Sequence, residues 1–186
     1  MSNSSWKKSL KTILATTNVK NDPVRIALLG VGNAQNGDDA AGVYTARLLI
    51  NRLRRNAGEK GRGNRPSFFL HPRLAVYDAG LAPENFTGPL RRFSPEVVVL
   101  VDAASFGGKP GEIVLTEAEN AGGFGASTHL QPLSTLARFL TLEMGVAVWL
   151  LGVQPATNDL GAPISPLVRR ACQKITREVF LTTQRD

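Results

Sequence analysis

Apolar positions fall along this chain as short unbroken runs alternating with stretches of helical spacing. The first run, Ile26 to Leu29, reads as a buried strand, and a loop carrying Gly30, Gly32 and Gly37 follows it. A helix is predicted from Asp38-Asp39 onward, with Val43, Tyr44, Ala46, Leu48, Leu49 and Leu53 on its apolar face. Phe68–Leu70 and Leu74–Tyr77 read as one strand interrupted at His71-Pro72, and 78–85 as a loop leading to a short helix cut by Pro89 and Pro95. Val97 to Val101 is a β-branched and leucine run ending in Asp102; without alternation it suits a central strand covered on both faces. Glu112–Leu115 alternates as a strand does, and Ala147 to Val153 forms a last apolar strand. Helices are predicted over about 132–144, with Leu133, Leu136, Ala137 and Leu140 on one face, and about 165–183. Strands alternating with helices predict an α/β fold with an open, mostly parallel sheet covered on both faces.

Residues 1–24 stand apart as an N-terminal basic arm, and residues 25–186 as the α/β domain. Trp6, Leu10, Ile13 and Leu14 line one face of a short basic helix, followed by a linker over 18–23. The arm contains no Arg, unlike a transit peptide, and no signal peptide or membrane-length apolar segment is present. Cys172 is the only cysteine, which excludes an intrachain disulfide framework and a Cys-based zinc site; its helical stripe with Leu167, Ala171, Ile175 and Val179 assigns it to the core. A soluble, cytoplasmic protein without membrane insertion is expected. The net charge of +7 is concentrated near the start and around Arg47–Arg73, with no nucleic-acid-binding motif beside it. Nucleic acid is therefore not an expected partner. A solvated surface is the simpler reading, and an acidic protein partner the next.

The glycine-rich turn after the first strand is the obvious place for chemistry. A dinucleotide fingerprint fails because Gln35 occupies the position of its third glycine, and no Lys-Ser or Lys-Thr pair follows Gly37. Two carboxylates at the helix start would repel a phosphate, so a cation suits the turn better. Asp38 reads as a helix cap, and Asp39 at the least as a favourable first-turn charge. Asp102 ends the central strand, and His129 sits in a glycine-flanked loop before a helix. In a parallel sheet Asp39, Asp102 and His129 fall on the carboxyl-end rim, where such sheets build their sites. Two carboxylates and an imidazole form an O/O/N set suited to zinc, nickel, iron or manganese.

These residues also carry a resemblance. Gly30-Val-Gly-Asn33 with Gly37-Asp-Asp39, Ala82-Pro-Glu-Asn85, Val101-Asp-Ala103, Pro110-Gly-Glu112, Thr128-His129 and Leu151-Gly-Val-Gln-Pro155 look like the nickel–iron hydrogenase maturation proteases, in the family's order from about Arg25 to Leu181. The likeness is greatest to the endopeptidases that process large subunits of the formate-hydrogenlyase type. Ala40 stands where a glycine is frequent, and the arm and the basic loop near Lys60 lie outside the likeness. The resemblance implies a three-layer α/β/α sandwich that removes a C-terminal extension from a hydrogenase large-subunit precursor. It implies that nickel already inserted in that precursor is the recognition signal, with no organic cofactor. Asp39, Asp102 and His129 would contact the metal, and Asp38, Asp78, Glu84 and Asn85 are candidates for binding the substrate.

No His-Glu-x-x-His helix or Gly-x-Ser-x-Gly elbow is present, and neither Ser105 nor Ser127 has an evident base. A metal or a water held by an Asp, as in an aspartic-type endopeptidase, remains: Asp39 or Asp102 would orient the water and the metal would polarise the scissile carbonyl, and which carboxylate does which stays open. Two alternatives compete: a self-contained peptidase or amidohydrolase with its own zinc, and a non-enzymatic nickel or hydrogenase assembly factor. A nucleotide-binding module ranks behind both.

Overall fold

The computed structural model describes residues 5–15, 24–59, 67–123 and 130–183. Its elements are α1 (Ser5–Leu14), β1 (Ile26–Val31), α2 (Ala41–Asn56), β2 (Phe68–His71), β3 (Leu74–Gly80), α3 (Thr87–Phe93), β4 (Val97–Ala103), β5 (Ile113–Glu117), α4 (Leu130–Met144), β6 (Ala147–Val153) and α5 (Pro166–Thr183). The strands form one sheet in the order β2-β3-β1-β4-β6-β5. The inner pairs β3·β1, β1·β4 and β4·β6 are parallel, while β2 and β5 join the edges antiparallel.

Every residue of β1 and β4 is buried, which explains why neither segment alternates in sequence. The alternation is instead between two cores. Ile26, Leu28, Val97, Val99 and Val101 point to one, shared with α1, α2 and α5. Ala27, Leu29, Val98 and Leu100 point to the other, shared with α3 and α4. The result is the expected α/β/α sandwich.

Three expectations change. Phe68–Leu70 and Leu74–Tyr77 are two strands of an antiparallel hairpin, with Phe68 opposite Tyr77, because Pro72 supplies a turn where one continuous strand would lose a ladder donor. Residues Asp78 to Gly80 continue β3 instead of opening a loop. The helix of residues 1–24 is not set apart: Trp6, Leu10 and Leu14 are buried in the same core as α2 and α5. Burial of such side chains stabilises by about 1.5–3 kcal/mol each. Lys7 and Lys11 add ion pairs to Glu178 of α5, both at 3.3 Å.

Part of the basic cluster is also structural. The Arg54 guanidinium is buried and donates from Nη2 to the Phe68 carbonyl at 2.7 Å, tying α2 to β2. Arg52 lies over the Phe180 ring at 4.3 Å. Arg62 and Arg65 lie outside the described residues. No helix among the described residues is long and apolar enough to cross a membrane.

Candidate active site

β1 and β4 are neighbours whose continuations part company. β1 leads into α2 on one face, whereas the chain after β4 runs through β5 to α4 on the other. That is a topological switch point, and the crevice beyond the carboxyl ends of β1 and β4 is where an open α/β sheet takes its ligand.

Glycine makes the approach of α2 to this crevice possible. A Cβ at Gly42 would stand 2.0 Å from the Val101 carbonyl oxygen, and one at Gly30 would stand 2.2 Å from that of Gly42. The turn after β1 then bends at Gly32, whose φ of +122° lies in the region that favours glycine. A Cβ at Gly32 would come within 1.9 Å of the Asp39 carbonyl oxygen and 3.5 Å of Asp102 Oδ1. The Asn33 amide, just beyond, donates to Asp39 Oδ2 at 2.9 Å. Residues 37–40 form a 3₁₀ turn and the α-helix proper starts at Ala41, slightly later than the sequence predicts.

Two of the three expected metal-contacting residues are thereby brought together. Asp39 is 5% exposed and Asp102 wholly buried. Among the described residues, neither Asp102 carboxylate oxygen has a hydrogen-bond partner. Burial, and then the neighbouring charge of Asp39, push the Asp102 carboxyl well above the usual carboxylate range; the Ala103 amide acts against this without reaching hydrogen-bonding geometry. A cation or a proton would satisfy such a group. His129 lies outside the described residues, and among those described no group of three or more His, Cys, Asp or Glu is placed to hold a metal.

The other candidates separate. Asp38 is buried, but its carboxylate is fully engaged: Oδ2 accepts from the amides of Ala156 and Thr157 at 2.8 and 3.2 Å, and Oδ1 from that of Ser165 at 2.6 Å. Asp38 therefore holds the loop after β6 against the turn after β1. Asp78 accepts a 2.6 Å bond from Arg47 Nε and stands opposite Gly30 in the sheet. Glu84 and Asn85 are exposed on the 3₁₀ turn Pro83–Phe86.

Sequence reasoning left Gln154 without a role. Its Oε1 accepts from the Phe106 and Gly108 amides at 2.9 and 3.1 Å, so it fixes the turn that follows Asp102. A Gln-Pro pair directly after a buried strand was the available signal. Cys172 is no nucleophile: its thiol donates to the Ala41 carbonyl at 3.4 Å, and burial pushes its pKa up to about 12.

Comparison with known proteins agrees with this geometry. Residues 49–181 match the model of a family described as HycI, hydrogenase maturation protease; the matched stretch includes Asp102 and starts after Asp39. The hydrogenase 3 maturation protease of Escherichia coli K12 is 31% identical over 149 residues, 80% of this chain and 84% of that protein. The crystal structure of a [NiFe] hydrogenase maturation protease HycI from Thermococcus kodakarensis KOD1 superposes with a TM-score of 0.76 at 27% identity, covering 95% of this chain and 99% of that one. The solution structure of the endopeptidase HycI from Escherichia coli gives 0.62 at 28% identity, covering 82% and 87%. With its carboxylate pair at the switch point of this fold, the chain belongs to the hydrogenase maturation proteases and is a processing endopeptidase.

Proposed function

We propose that this endopeptidase removes the C-terminal extension of a nickel–iron hydrogenase large-subunit precursor, of the formate-hydrogenlyase type, and reads the nickel already inserted there. One observation carries the proposal: Asp102 and Asp39 are adjacent buried carboxylates, and no described donor or cation satisfies Asp102. A divalent ion brought by the substrate supplies the missing positive charge. Asp39 and Asp102 would face it, with His129 as the third protein contact, and ligands that stay on the substrate complete the set. So few protein ligands, two of them carboxylates, hold a divalent ion weakly when the substrate is absent.

The metal's contribution on arrival is to polarise the scissile carbonyl. The chain's own part is to hold a water against that carbonyl. The carboxylate pair takes up the proton as the water oxygen adds to the carbonyl carbon, and returns it to the departing amine nitrogen as the C–N bond breaks. Asn33 fixes Asp39 through its amide, and Gln154 fixes the turn beyond Asp102. Intact mass of nickel-loaded and nickel-free precursor after incubation with the protein tests the reading. Only the loaded precursor should lose its C-terminal peptide; equal cleavage of both would sink the nickel signal in favour of a self-contained hydrolase.

A further inference from the structure

We propose that the groove between the 3₁₀ turn Pro83–Phe86 and the amino-terminal half of α4 receives an extended apolar stretch of the precursor, next to the bond that is cut. The proposal rests on the endopeptidase reading above and names where the substrate chain lies. The groove has a volume of about 920 Å³ and is lined by Val31, Leu81, Pro83, Leu133, Leu136 and Phe139, among others.

Three features select a peptide as its occupant. First, the groove is continuous with the candidate site. Val31 is the last residue of β1 and lies in its wall; the next residue is Gly32, where an added Cβ would run into the Asp39 backbone and lie 3.5 Å from Asp102 Oδ1. A chain whose scissile carbonyl sits at the carboxylate pair can continue directly into it. Second, its size is near the upper end for small-molecule pockets and far beyond what an ion or a few waters fill. Third, its walls are apolar and partly open to solvent: Leu81 is 57% exposed and Phe139 40%. Among the described residues lining it, Glu84 is the only charged one, which favours an uncharged segment and disfavours an acidic one. Side chains alternating along an extended peptide would place every second one against this wall.

A photo-reactive benzophenone side chain at position 81 or 139, in an Asp39→Asn background expected not to cut, maps the occupant directly. Mixed with nickel-loaded precursor, it should cross-link to precursor residues close to the scissile bond, read by peptide mass. Cross-links found only to a second copy of this chain, within the same chain, or to a distant part of the precursor would overturn the proposal. Kinetics gives a second readout. Leu81→Glu and Phe139→Glu should each raise KM for the loaded precursor by about tenfold or more while kcat changes by less than about twofold, as removal of uniform binding energy does. Leu142→Glu, on the same helix but outside the groove and 74% exposed, should leave both unchanged. Leu81→Ser and Phe139→Ser serve if either Glu variant melts early. An unchanged KM in folded groove variants, with wild type active, sinks the groove alone. A wild-type protein that cuts no precursor sinks the endopeptidase reading, while the cross-link still reports on the groove.

Discussion

At the scale of the residue, Asp38 and Asp102 show how environment gives one side chain opposite meanings. Both are completely buried at the switch-point rim. Asp38 accepts three backbone amides, whereas Asp102 accepts none from the described residues. The same isosteric change should therefore move stability in opposite directions. Asp38→Asn turns an amide NH₂ toward backbone donors and should cost about 1–3 kcal/mol. Asp102→Asn removes a buried, unpaired charge and should stabilise the fold at neutral pH by about 0.5–2 kcal/mol while abolishing cleavage. The sign of the pH dependence follows from the raised pKa of Asp102. Below its ordinary value of 3.8 the carboxyl is protonated in both states and costs nothing. As pH rises through the raised folded pKa, wild type loses stability that the Asn variant keeps. Urea melts of the two proteins should coincide near about pH 4 and diverge toward about pH 8; curves that stay parallel would contradict this account.

At the scale of the element, α1 decides where the domain begins. Its apolar face is part of the core, so removing residues 1–22 should lower the melting temperature sharply or cause aggregation, and Leu10→Ala alone should cost about 2–5 kcal/mol. A truncated protein with an unchanged, cooperative melt would return α1 to a dispensable arm. The ion pairs that fasten α1 are weaker. Burial tends to raise the pKa of Glu178, but the bonds and charges of Lys11 and Lys7 outweigh it and hold the carboxyl below 4.5. Their contribution is present above that value and is lost as pH falls through the lowered folded pKa. Hydrogen exchange in α1 should accelerate at acid pH in wild type and lose that dependence in Glu178→Gln. Because Lys7 and Lys11 are 38% and 49% exposed at their side chains, the pairs contribute less than about 1 kcal/mol.

At the scale of the whole molecule, the net charge of +7 acts through those cations that are not already used in packing. Arg47 is paired with Asp78, Arg52 stacks on Phe180 and Arg54 is buried against the Phe68 carbonyl. Substituting Arg54 would therefore disturb the fold and cannot test steering. Replacing Arg55, Arg62 and Arg65 together with Gln should slow association with the precursor and flatten its salt dependence while leaving the melt unchanged. Identical association rates at low salt would assign these residues to solvation only.

What the sequence determined by itself was whatever depends on near neighbours. Apolar runs located the strands of the parallel core, helical spacing located α2, α4 and α5, and a glycine-rich turn ending in Asp39 beside a strand ending in Asp102 marked the carboxyl-end rim. Periodicity and turn chemistry act over a few residues, so they are legible without coordinates. Tertiary structure decided the roles that depend on distant partners. Asp38 is a clamp because Ala156, Thr157 and Ser165, more than a hundred positions away, turn their amides toward it. Gln154 meets Phe106 and Gly108 across 48 and 46 positions. A short basic helix with one apolar face looks the same in sequence whether that face meets a partner or its own core; only the docking of Trp6, Leu10 and Leu14 beside α5 distinguishes them. Burial and hydrogen-bond partnership belong to the folded arrangement, and they are what separate an unsatisfied carboxylate at a site from a satisfied one beside it.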